Sequence, residues 1–237
     1  WAYDPASEEL YIYADPRFVP TSTNVRIRVL HRMIHMRRAV NLEFKNLEFF
    51  GGSIKVEGVN ILFEDCDFKQ LHDITLPAYM NNGSTCTGLY TWNAEFVNCR
   101  FSEIPYVYNV KIRGIKSRVE NCLFTNMDWW ANPGGGGAEL GYIARYVTFE
   151  NSKIGGLGGS HLMEYCRIED FKDPCDCSGI NRGAHGAPRS MTRYNWIING
   201  PGANGIRIDG GANGAGNRRG DIHHIITIGN NRGMRLK

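Results

Sequence analysis

The stretch FEDCDF (63–68) returns as FVNCRF (96–101) and again as VENCLF (119–124). Each copy carries an Asn or Asp immediately before a Cys, and a Phe two residues after it. Upstream, Ile54 and Val56 alternate with Lys55 and Glu57, and Ile61 and Phe63 alternate with Leu62 and Glu64. Strict alternation of this kind predicts short strands with one buried face. Between Phe63 and Cys66 the inward parity slips by one residue, at Asp65. Asp and Asn tolerate the left-handed backbone conformation, so one such residue turns the chain sharply and leaves both flanking strands facing inward.

Motif cysteines follow one another after 33 residues (66 to 99) and 23 residues (99 to 122). Strands too short for an independent sheet, repeated at such spacings, predict a solenoid whose turns stack on one another. Stacking places equivalent residues about 4.8 Å apart, so Asn and Asp should form a ladder while Cys and Phe columns fill the core. The fold class expected is all-β, a single-stranded right-handed parallel β-helix with long inserted loops. Glycine, proline and asparagine mark those loops at 71–86, 127–137 and 170–189. No domain boundary is expected in 1–237: residues 1–39 read as a lead-in and 40–237 as coils. A start at Trp1 without Met suggests a processed protein or an excerpt of a longer chain.

NILFEDCDF, AEFVNCRF, SRVENCLF, LMEYCRIED and RYNWIING together resemble the right-handed parallel β-helix superfamily of pectate-lyase type, from about residue 40 to 237. WAYDPASEELYIYADP is similar to the lead-in of its carbohydrate-active members. The resemblance implies an extracellular or cell-surface protein acting on polysaccharide, as a glycoside hydrolase or a lyase. FENSKI (149–154) fits this alignment badly, lying too close to EYCRI for a coil of three strands: either a coil is distorted there or one motif is misplaced.

No apolar run reaches the roughly 18 residues that a membrane span needs. The formal net charge of +3 is unevenly spread: residues 178–237 hold nine Lys and Arg against Asp209 and Asp221. That excess favours an anionic partner. Nucleic acid is disfavoured, because the basic block lacks the interleaved aromatics of single-strand binders. Cys66, Cys99, Cys122 and Cys166 read as core thiols, whereas Cys175 and Cys177 lack a second pair at zinc spacing.

In GIRIDGG and GMRLK, Ile206, Ile208, Met234 and Leu236 should point inward, which turns Arg207, Asp209, Arg235 and Lys237 outward. Stacking Gly205 on Gly233 would set Arg207 beside Arg235 and Asp209 beside Lys237. Lys111, Arg113, Asn181 and Arg182 should extend the column. Neighbouring arginines repel unless an anion lies between them. His185, in a Gly-rich segment, is the candidate general base. Of His223 and His224, one should point into the core, while His223 is also a candidate substrate contact. GAHGAP followed by RIDG and RLK is similar to the His and Arg-Lys motifs of the polygalacturonase branch, but that branch's paired-Asp motifs are not recognisable here.

The candidate catalytic set is therefore His185, Arg207, Asp209, Arg235 and Lys237, with Arg182, Trp129, Trp130 and His223 as substrate contacts. Trp92, Trp129 and Trp130 offer aromatic faces on which sugar rings stack. A hydrolase would need two carboxyl groups about 5 to 9 Å apart, drawn from Asp170, Asp173, Asp176, Asp209 and Asp221. A lyase would need a base and cations to neutralise a uronate. Asp170, Asp173 and Asp176 could jointly hold calcium but fit no defined calcium loop, so calcium stands as the alternative to the expectation of no cofactor. The rival reading is a stiff, non-catalytic rod of a surface fibre or adhesin, self-associating end to end.

Overall fold

The computed structural model describes residues 2–4, 6–7, 9–11, 32–71, 88–105, 110–127, 138–152, 156–158, 160–172, 178–182, 190–208 and 220–236. They hold 24 β-strands and no helix. Strands β1 (Ala2–Asp4) and β2 (Glu9–Tyr11) pair antiparallel; every other pairing among the described residues is parallel.

Three long strands, β3 (Arg32–Lys45), β5 (Ser53–Glu64) and β7 (Leu89–Val97), begin the coils, eight residues ahead of the expected start. After β7 their sheet divides into two arms. The first arm runs through β9 (Val110–Arg113), β12 (Ala138–Leu140), β15 (Leu157–Gly158), β18 (Ser178–Arg182), β21 (Asn204–Ile208) and β24 (Arg232–Leu236). The second arm runs through β10 (Arg118–Glu120), β13 (Ile143–Arg145), β16 (Leu162–Glu164), β19 (Met191–Arg193) and β22 (Asp221–His223). A separate sheet stacks β4 (Glu48–Phe50), β6 (Asp67–Lys69), β8 (Arg100–Ser102), β11 (Leu123–Thr125), β14 (Thr148–Ser152), β17 (Arg167–Phe171), β20 (Trp196–Ile198) and β23 (Ile226–Ile228). Successive strands of each column are thus separated in sequence by strands of the other two, which is the connectivity of a parallel β-solenoid.

The repeated motif is the corner between the second arm and the separate sheet. Asp65, Asn98 and Asn121 have φ of 52°, 54° and 52°, in the left-handed region expected of them. Behind them Cys66, Cys99 and Cys122 are buried and unpaired. Each thiol donates to the carbonyl two residues earlier, as Cys99 Sγ does to Val97 O at 3.3 Å. Burial with backbone bonding is the state of a core thiol.

Phenylalanines stack on both sides of this corner. Phe44, Phe63 and Phe96 have centroids 4.7 Å apart, and Phe68, Phe101 and Phe124 lie 4.7 and 4.4 Å apart. Strand spacing holds the rings in stacking range, adding about 0.5–1.5 kcal/mol per pair to the gain from burial. The Phe124 column continues through Phe149 to Ile168 and Ile197, and the Phe96 column through Val119 and Ala144 to Met163, with Ile180 and Ile206 filling the first arm.

Of the two explanations for the poor fit of FENSKI, the misplaced motif holds: Leu123 pairs with Thr148 and Phe124 with Phe149, so Val147 takes the Cys place and Asn151, φ 52°, turns the next corner. Two expectations are corrected. The stretch 170–189 is not one loop, since β18 crosses it. Neither His223 nor His224 enters the core: Ile222 takes the inward place in register with Thr192, and His224 stands at the corner with φ 53°. The parity slip falls on His224 itself, so both imidazoles remain outside.

Candidate functional site

Alternation along the first arm buries Ile54, Leu89, Val110, Ala138, Leu157, Ile180 and Ile206. The intervening residues stack outward in register as Lys55, Tyr90, Lys111, Glu139, Gly158, Asn181, Arg207 and Arg235. Arg207 beside Arg235, and Asn181 next in line, are as expected. Lys111 belongs to the same column and is 5% exposed. A Cβ on Gly205 would lie 2.5 Å from the carbonyl oxygen of Gly233, so glycine there lets the two strands approach under the arginines.

Two expected members of the column are displaced. Arg182 pairs in register with Ile208, one place beyond the row of Arg207, and Asn181 is the residue that stands beside Arg207. Arg113 stands in a neighbouring outward row with Glu57 and Trp92.

Lys55 pairs with Glu57 at 3.1 Å, and Arg113 grips Glu139 through Nε at 2.5 Å and Nη2 at 2.8 Å. Lys55 and Arg113 also lie 5.2 and 6.0 Å from the Tyr90 ring centroid, within cation–π range. Trp92 is 45% exposed nearby. Toward the other end the row continues with the Asn181 amide and the Arg207 and Arg235 guanidinium groups, side by side in register.

His185, Asp209, Lys237, Trp129, Trp130, Asp173 and Asp176 lie outside the described residues. His223 is described but stands on the second arm, beside Arg193 in register, so the fold does not bring it to Arg207. Its Nδ1 is 2.5 Å from Nδ1 of His224. Asp221 neighbours Met191 on that same arm. Asp170, φ 51°, bends the chain within β17 and accepts a hydrogen bond from Asn199 at 3.2 Å.

Two features escaped the sequence reading. A polar groove of about 490 Å³ on the separate sheet is lined by Glu48, Asp67, Lys69, Gln70, Arg100 and Glu103 among others. The Gln70 hydrogen bond at 2.9 Å, with Lys69 at 3.1 Å behind it, holds the Glu103 carboxyl below its ordinary pKa. The second feature is the continuation of the Asn/Asp corner, which passes from Asn121 to Tyr146, Tyr165 and Tyr194, all with φ of 52–56°. The signal lay in RYV, EYC and RYN, where tyrosine takes the place of the motif Asn.

Among the described residues no three His, Cys, Asp or Glu side chains converge as a metal site, and no helix is long and apolar enough to cross a membrane. No protein-family profile matches the chain, and no curated protein is significantly similar to it.

Proposed function

We propose that this chain is a right-handed parallel β-helix of pectate-lyase type that engages an anionic polysaccharide outside the cell along the outward face of the first arm. The observation that carries the reading is the register of Asn181, Arg207 and Arg235. A row of donors repeating at strand spacing suits a polymer whose carboxylates or sulfates repeat along its length. Right-handedness follows from the strong preference of parallel crossovers. Tyr90 and Trp92 supply aromatic surface for sugar rings on the same arm.

The arginines would neutralise a uronate carboxylate, which in an elimination makes the adjacent proton easier to remove. His185 is the candidate to take that proton. In the hydrolytic alternative, Asp209 and a second carboxyl group would flank the glycosidic bond. The test incubates the protein with uronate-containing, sulfated and neutral polysaccharides while following unsaturated-product absorbance and reducing ends together. Both rising indicates elimination, and ends alone indicate hydrolysis. Arg207→Ala/Arg235→Ala should abolish turnover and weaken retention on the acidic polymers; unchanged turnover and retention would refute the site.

A non-catalytic rod is the second reading. It is favoured by the pairing of Glu57 with Lys55 and of Glu139 with Arg113, which commits these first-arm carboxylates to ion pairs. Binding without turnover on every polymer, in the intact chain, would select it.

A further inference from the structure

Asn98 and Asn121 show what the corner position ordinarily asks for. Both adopt positive φ with little strain, and the Asn121 amide donates to Asn98 at 2.8 Å. In the next three coils tyrosine holds this place. A bulky side chain at φ of 52–56° is strained, and tyrosine cannot continue the amide ladder. Nor does burial compensate, for Tyr146, Tyr165 and Tyr194 are 53%, 46% and 36% exposed. Strain held in place on an exposed surface is the kind of observation from which function is inferred.

What the substitutions produce is an aromatic strip. Tyr146 stacks on Tyr165 at 5.3 Å and Tyr165 on Tyr194 at 5.2 Å, and His224 continues the row at 4.8 Å. Two residues beyond Tyr194, Trp196 stands half-exposed on the outward side of the separate sheet. On the other flank Arg193 lies 5.7 Å from the Tyr194 ring centroid and is held by Glu164, which also holds Arg145. The strip combines ring surface, phenolic hydroxyls and a flanking pair of guanidinium groups around one carboxylate.

We infer that Tyr146, Tyr165, Tyr194 and Trp196, flanked by Arg193, form a second polysaccharide-binding strip at the corner opposite the first arm. The inference rests on the reading that the partner is an acidic glycan. Sugar rings stack on aromatic surface, hydroxyls bond to phenols, and the acid groups meet the arginine flank. A polymer lying along the coils meets the same contact at each one, so weak contacts add through effective concentration.

The Asn98 coil supplies its own control. Tyr146→Asn/Tyr165→Asn/Tyr194→Asn installs the residue that the corner accepts elsewhere, so the thermal midpoint should stay level or rise. Retention in affinity electrophoresis through a soluble polyuronate, and through a sulfated polysaccharide, should fall at least tenfold. Glycan should also protect these tyrosines of the unmodified protein from nitration by tetranitromethane, a readout that needs no variant. A folded triple-Asn protein with full retention, or glycan binding without protection, overturns the strip. Loss of retention in Arg207→Ala/Arg235→Ala with the triple-Asn protein unaffected removes the strip alone. The reverse pattern removes the first-arm site alone, and a chain that binds none of the polymers removes both.

Discussion

Asn121 donates its side-chain amide to the side-chain carbonyl of Asn98, one coil away, at 2.8 Å, with both residues in the left-handed region. The same contact recurs at another corner, where Asn60 donates to Asn41 at 2.9 Å with φ of 55° at both residues. One residue type therefore meets two demands: it relieves the backbone and it ties adjacent coils together.

Replacing Asn121 separates these demands. Asn121→Ala should cost about 2 kcal/mol, from the left-handed penalty and the lost hydrogen bond together. Asn121→Gly keeps the backbone conformation and should cost about half as much. Urea unfolding of the two variants checks the order, and equal losses would show that φ is not what the position selects.

Phe101 stacks between Phe68 and Phe124 with no exposed surface. Removing the ring leaves a cavity that the rigid strand spacing cannot close, so Phe101→Ala should cost about 3–5 kcal/mol. Phe101→Leu should recover much of that, as seen in the thermal midpoint.

Glu164 is nearly buried, accepts a hydrogen bond from Arg193 Nε at 2.7 Å and forms an ion pair with Arg145, whose Nε lies 2.6 Å away. Glu164→Gln leaves two neighbouring cations without their shared anion, so it should lower the urea midpoint more than Arg145→Gln or Arg193→Gln alone. The three single variants and their doubles form the cycle that measures the coupling.

The buried thiols make stability depend on alkaline pH. Burial pushes the Cys166 thiol up to about 12 from an ordinary value of 9.0, and Cys66 and Cys99 are also raised. Above the ordinary value the unfolded chain gives up protons that the folded chain keeps, so stability falls as pH rises from 9.0 toward about 12. Urea midpoints measured on either side of pH 9.0 should show the decline, with a shallower slope in Cys166→Ala. At neutral pH the four motif cysteines should resist alkylation until the chain unfolds.

Much of the coil was legible because Asp65, Asn98 and Asn121 mark a corner by chemistry and Cys and Phe follow at constant offsets. The signal fails where another residue takes the corner. Tyr146 and Val147 replace both marker residues, so Asn151 drew the alignment one corner too far along the chain. His224 hides the parity slip in the same way, which is why alternation alone sent one histidine inward. Arg207 beside Arg235 was readable because glycines 28 residues apart fixed the stacking. The groove at Gln70 and Glu103 was overlooked although each stands four residues after a motif Cys, because the residue type at that place changes from coil to coil.

The two-residue corner has the same length in every coil, although the coils range from 19 residues (Leu47 to Cys66) to 33 (Cys66 to Cys99). The differences in length lie in the segments that enter or leave the first arm, among them 72–87, 128–137, 183–189 and 209–219. The corner therefore works as an escapement, resetting the phase of the chain once per revolution whatever has been added since the last. A residue added or removed in those segments changes the length of one coil and leaves the register of the next corner as it was.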